Sequence, residues 1–152
     1  MITENDIQMA QKKWGDSLIK IGSLKSEPNS CRDYATLTLK KLYAFERGEI
    51  LFKPTKATDI AFRSDLNGSL SYFIGNDDNY PEDNGFALNP WTKVQFENKI
   101  YKCLPNSAIV MGYYHFTDLN NKITTVEYTF GYTLIGNDLK INLHHSSLPY
   151  NN

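Results

Sequence analysis

Apolar positions recur at helical intervals in the first half of the chain and alternate in the second. Ile7, Ala10, Trp14, Leu18 and Ile21 fall on one face of a 3.6-residue repeat, which predicts an amphipathic helix of about five turns. Thr3 and Asp6 precede it at capping-box spacing, with Asp where Glu or Gln is usual. Glu27-Pro28-Asn29 breaks this helix. Ser30 and Asp33 open a second one, whose looser stripe of Tyr34, Leu37, Leu42 and Phe45 ends at Gly48. Glu49 to Phe52 predicts a short strand, and Lys53-Pro54-Thr55-Lys56 a turn. A third helix carries Phe62, Leu66, Ser69, Leu70 and Phe73, and closes at Gly75.

From Phe86 onward the pattern is that of strands. Val94 to Cys103, Ala108 to Phe116, Ile123 to Leu134 and Leu139 to Ser147 are separated by Pro105-Asn106, Leu119-Asn120-Asn121 and Gly136-Asn137-Asp138, all turn chemistry. Three helices followed by a four-stranded antiparallel meander predict an α+β arrangement, with the helices on one face of the sheet. Between the halves, Asn76 to Gly85 holds Asp77, Asp78, Glu82 and Asp83 and reads as a solvated loop. It lacks the regular oxygen spacing and central glycine of a calcium loop.

The chain's 152 residues suit one domain, 1–152, with a real core. A net charge of −1 without a basic stripe argues against nucleic acid as a partner. No stretch approaches the ~18 apolar residues of a membrane span. The start, Met1-Ile2-Thr3-Glu4-Asn5-Asp6, lacks the basic and apolar regions of a signal peptide, so a cytoplasmic location is expected. Cys31 and Cys103 are too few for a disulfide framework and lack zinc-ligand spacing.

Several chemistries lack their residues. The nine glycines are scattered and form no phosphate loop, and no Gly-x-Ser-x-Gly elbow occurs. The last strand, in contrast, places His144, His145, Ser146 and Ser147 side by side. Alternation assigns Ile141, Leu143, His145 and Ser147 to one face, and Asn142, His144 and Ser146 to the other. The apolar members mark the first face as buried, so His145 and Ser147 are expected to point inward. A bulge near the strand end would invert this and put Ser146 in place of Ser147. A three-histidine zinc site would need His115, His144 and His145, yet the last two point opposite ways. Tyr72, on the flank of the third helix's stripe, and Thr55, in the turn before it, are candidate partners of His145 and Ser147. Each also has a plainer reading: Thr55 as a turn hydroxyl, Tyr72 as a core tyrosine, His145 as a satisfied core histidine.

The order of elements resembles the cone-shaped fold of the nuclear transport factor 2-like superfamily, in which a curved antiparallel sheet wraps around helices and leaves a central cavity. Within it, the chain resembles the branch related to the calmodulin-dependent kinase II association domain, and more closely the iota-class carbonic anhydrases. The resemblance rests on Trp14-Gly15-Asp16, Leu51-Phe52-Lys53-Pro54-Thr55-Lys56-Ala57, Leu70-Ser71-Tyr72-Phe73, Gly85-Phe86-Ala87-Leu88-Asn89-Pro90-Trp91, Val126-Glu127-Tyr128-Thr129-Phe130-Gly131-Tyr132 and His144-His145-Ser146-Ser147-Leu148-Pro149-Tyr150. It implies reversible hydration of carbon dioxide to bicarbonate. The implied site is a threonine before the third helix, a tyrosine on it, and a histidine and serine of the last strand: here Thr55, Tyr72, His145 and Ser147.

In that picture His145 accepts the proton of the attacking water, the hydroxyls hold the oxygens, and Leu143 helps to wall the cavity. The opposed histidines favour a metal-free site with no cofactor. A homodimer is expected, from the resemblance and because Tyr113, Tyr128, Phe130 and Tyr132 cannot all find room in one cavity. Two other readings stay open: a polyketide-cyclase-like (SnoaL-like) isomerase or ligand-binding protein with a roomier pocket, and a non-catalytic oligomerising module.

Overall fold

In the computed structural model, which describes residues 1–151, the first helix α1 (Glu4–Ser23) opens on the capping box that its sequence predicts. The Asp6 N–H donates to Thr3 Oγ1 at 3.2 Å, and the Thr3 N–H donates to Asp6 Oδ2 at 2.8 Å. Ile7, Trp14, Leu18 and Ile21 are buried along it. The second helix α2 (Pro28–Leu42) begins two residues before Ser30, because proline fits the first turn, where its missing N–H has no partner to lose. It ends at Leu42 rather than Gly48. Tyr43 leaves it in extended conformation, and Ala44 N–H then donates to Ile141 O at 2.9 Å. Gly48 closes a short 3-10 turn, Phe45–Arg47, instead.

The strand β1 (Leu51–Lys53) leads to α3 (Leu66–Ile74), whose N-cap Asp65 accepts from Gly68 N–H at 2.7 Å. Phe62 lies ahead of this helix and is exposed. A second 3-10 turn, Phe86–Leu88, precedes β2 (Lys93–Cys103), β3 (Ser107–Thr117), β4 (Ile123–Ile135) and β5 (Asp138–Ser147). These four form the expected antiparallel meander. The sheet gains a fifth member at its edge: β1 runs parallel to β5, with Phe52 opposite His144, in the order β1-β5-β4-β3-β2.

Two glycines inside strands curve this sheet. Gly112 faces Asn98, after which Lys99 is an extra residue in β2; a Cβ on Gly112 would lie 2.2 Å from Glu97 O. Gly131 faces Leu143, beside which Asn142 is an extra residue in β5; a Cβ there would lie 2.8 Å from the Leu143 Cβ. Each bulge bends and twists its strand. The resulting inner face receives α1 and buries Tyr114, Phe116, Val126, Tyr128, Phe130 and Tyr132. Tyr128, Phe130 and Tyr132 therefore do not crowd an outer surface, as the sequence suggested. All three occupy even positions of β4, which point toward the helices, and only Tyr113 stays on the outer face.

The acidic loop is also not simply solvated. The Arg63 side chain is fully buried and donates to Asp83 from both terminal nitrogens, at 2.7 and 2.8 Å. Arg63 also donates to Gly68 O at 2.9 Å, while Ser71 Oγ donates to Asp83 Oδ2 at 2.5 Å. Glu82 accepts the backbone N–H groups of Thr58 and Ile60. The loop thus ties α3 to the turn that carries Thr55. Removing one member of a buried ion pair strands the other charge. Asp83→Asn is expected to destabilise the protein by about 3–5 kcal/mol in urea unfolding; a loss under about 1 kcal/mol, typical of exposed pairs, would contradict this.

Candidate active site

The extra residue Asn142 decides which side chains of β5 face the core. Ile141 is buried before the bulge, and His144 and Ser146 are buried after it, at 2% and 1% exposure. His145 is exposed, and Ser147 and Leu143 are half-buried on the outer face. The predicted orientation of His145, Ser147 and Leu143 is thus inverted, because two residues of β5 sit across from one position of β4. A glycine inside a strand pattern often marks such a bulge, so Gly131 was the available signal.

Inside, His144 Nδ1 lies 2.8 Å from the Tyr43 hydroxyl, to which Trp14 Nε1–H donates at 3.0 Å. His144 Nε2 lies 3.1 Å from both Tyr114 Oη and Ser146 Oγ, which also hydrogen-bond each other. Phe52 stacks on the imidazole at 4.6 Å, and Phe130 meets it edge-on at 4.4 Å. This apolar enclosure holds the His144 pKa well below its usual 6.5, helped by the nearby His145, so the ring is neutral. Burial likewise raises Tyr43, Tyr72 and Tyr114, keeping every phenol protonated.

Thr55 and Tyr72 line this cavity beside His144 and Ser146. The Tyr72 hydroxyl accepts from Lys56 N–H at 3.3 Å, and Thr55, Tyr72 and Tyr114 line the same cavity. Trp14, Pro54, Phe73 and Phe86 supply apolar walls. The free space is about 10 Å³, near the ~10–15 Å³ that one water needs. Tyr114 and Tyr43 were not singled out from the sequence, although Tyr114 shares its face of β3 with Val110 and Phe116. A larger hollow of about 780 Å³ opens between α1, α2 and the β4–β5 hairpin, but none of Thr55, Tyr72, Tyr114, His144 and Ser146 lines it. Among the described residues, no three His, Cys, Asp or Glu side chains gather as a metal-binding cluster.

The model of a family described as metal-independent carbonic anhydrase matches residues 5–148. The chain belongs to this family. A metal-independent carbonic anhydrase of Nostoc sp. is 39% identical over 153 residues, covering 98% of this chain and 75% of the relative. The crystal structure of a cyanobacterial iota-carbonic anhydrase complexed with bicarbonate superposes with a TM-score of 0.95 at 37% identity, covering 99% of this chain and 94% of that one. A putative calcium/calmodulin-dependent protein kinase II association domain from Xanthomonas campestris shares the fold at a TM-score of 0.55 and 26% identity, over 75% of this chain and 73% of that one. The match to the metal-independent carbonic anhydrase family thus spans almost the whole chain.

The neutral His144 gives stability a sign with pH. Unfolded, the imidazole binds a proton below about pH 6.5; folded, it resists doing so. Its contribution is therefore fully present above pH 6.5 and is lost as pH falls below that value. Melting temperature should drop between about pH 6.5 and 5, and His144→Asn should flatten that slope. An unchanged slope in the variant would count against a neutral buried ring.

Proposed function

We propose that the protein hydrates carbon dioxide reversibly to bicarbonate in the cavity of Thr55, Tyr72, Tyr114, His144 and Ser146, without a metal. The observation that carries this reading is a water-sized cavity lined by hydroxyls and a neutral imidazole, in a chain whose family and bicarbonate-bound relative point the same way. Free space of about 10 Å³ is that of about one water. It leaves no room for the ring systems that a polyketide-cyclase-like isomerase would handle.

In the hydration direction, the oxygen of water bonds to carbon while one C=O electron pair moves onto oxygen. The water's proton is passed to solvent water at Thr55, which is half-buried beside the exposed Lys56, leaving bicarbonate. Hydroxyl donors aimed at the forming anion stabilise it strongly in a dry site. The aromatic walls hold the apolar substrate and limit competing water. Thr55, Tyr72 and Ser146 are our substrate-binding residues. Ser146 and His144 occupy the places at the cavity that the sequence reading gave to Ser147 and His145.

Stopped-flow hydration assays test this. Activity should persist after exhaustive chelation. Tyr72→Phe and Ser146→Ala should each lower kcat by ~100-fold or more, the scale for losing one oxyanion donor. His145→Gln, on the outer face, should stay near wild type. Full activity in Tyr72→Phe and Ser146→Ala would sink the assignment.

We also propose a homodimer in the cytoplasm. Support for the dimer lies on the outer face of β2 and β3, where Ile100 sits opposite Met111 and Ile109 follows two pairs further along, all three exposed. Both cysteines are free, and no helix among the described residues is long and apolar enough to cross a membrane. Light scattering at micromolar concentration should give twice the chain mass, and Met111→Lys should halve it.

A further inference from the structure

We propose that Trp14 and Tyr43 fix His144 as the tautomer with its proton on Nε2, making it a hydrogen-bond donor to the cavity hydroxyls rather than the acceptor of the water's proton. This assignment rests on the cavity being the carbonic anhydrase site described above.

The donors and acceptors allow one arrangement. An indole N–H can only donate, and Trp14 donates to the Tyr43 oxygen at 3.0 Å. Tyr43 is completely buried, so its own proton needs an acceptor. Its other polar neighbour is His144 Nδ1, at 2.8 Å. Tyr43 therefore donates to Nδ1, which must carry the lone pair. Burial keeps the ring neutral. A neutral imidazole holds one proton, and that proton is then on Nε2. There it faces Ser146 Oγ and Tyr114 Oη, each 3.1 Å away.

The chain of donors runs in one direction, from Trp14 through Tyr43 and His144 to the pair of hydroxyls. Ser146 and Tyr114 both accept from the imidazole and one donates to the other, so the pair has one O–H left to turn into the cavity. Linked donors polarise one another. The cavity thus presents hydrogen-bond donors to an anion, although no cationic group takes part in the chain. Trp14 and Tyr43 touch no reacting atom in this scheme. They are positioning residues, and they act through the imidazole.

Nitrogen-15 NMR of histidine-labelled protein near pH 7 reads the tautomer directly. The resonances of His144 are assigned by their loss in His144→Gln. In the wild type, Nδ1 should show the shift of an unprotonated ring nitrogen and Nε2 that of a protonated one. Tyr43→Phe removes one oxygen and little volume. It should move the ring toward the Nδ1–H form and lower kcat by ~10–100-fold, the scale for losing a group that orients a functional histidine, while KM moves far less. Trp14→Phe, which frees the Tyr43 hydroxyl to turn, should shift the tautomer in the same direction.

A protonated Nδ1 in the wild type overturns the proposal, whatever the variants do. So does a Tyr43→Phe enzyme whose tautomer has changed while kcat has not. The NMR result stands apart from turnover. An inactive wild type with the Nε2–H tautomer would refute the carbonic anhydrase reading but not the relay; an active wild type with Nδ1–H would do the reverse.

Discussion

One extra residue in β5 governs the whole site. Asn142 has no counterpart in β4, and the bulge it forms carries His144 and Ser146 to the inner face. The bulge depends on Gly131, because a side chain there would collide with Leu143 and Asn142. The consequences pass from backbone to chemistry in a few steps. The turned strand lays His144 against Phe52 of β1, its parallel neighbour. The same turn brings Nε2 within reach of Tyr114 from β3. A regular strand beyond the buried Ile141 would have turned Leu143, His145 and Ser147 inward and left His144 and Ser146 on the outer face.

Burial then sets the kind of chemistry open to the site. A metal-dependent hydratase lowers the pKa of a bound water. Here a neutral imidazole and protonated phenols surround the cavity, and none of them brings a formal charge. Stabilisation of a forming anion falls to oriented hydroxyl dipoles, which are most effective where water is excluded. Their orientation depends on rigid supports. Arg63 and Asp83 anchor α3, on which Tyr72 sits, and Glu82 holds the backbone just beyond Thr55. The ion pair therefore serves the cavity although it lies outside it.

Much of this was legible in the sequence. The capping box of α1 and the four long strands followed from spacing and turn residues. Two kinds of information were not. Strand parity propagates from the nearest apolar residue, and a single bulge reverses everything beyond it; Ile141 and Leu143 therefore gave the wrong face for His145 and Ser147. Gly131 held the correction, but only as a glycine within an otherwise good strand. Long-range pairing was also hidden. Nothing local to Arg63 says that it will meet Asp83, and nothing local to Leu51 says that β1 will join β5. The crowding inferred for Tyr128, Phe130 and Tyr132 failed for a related reason, since these side chains pack as core against α1 and one another.

Trp14 ties the fold to the site most closely. Its indole packs against Phe73, Phe96, Tyr114, Phe116, Phe130 and His144, with ring centroids 5.6 to 6.4 Å apart. Its single polar atom is spent on Tyr43. The residue that fills the centre of the core therefore also starts the hydrogen-bond chain that ends in the cavity. Its position along α1 is fixed by the cap at Thr3 and by the stripe from Ile7 to Ile21. A shift of the helix by one residue would turn the indole by about 100°, given 3.6 residues per turn. It would empty the core and break the chain together. Stability and chemistry are thus not separate demands on α1, because the packing that buries the indole is what aims its N–H.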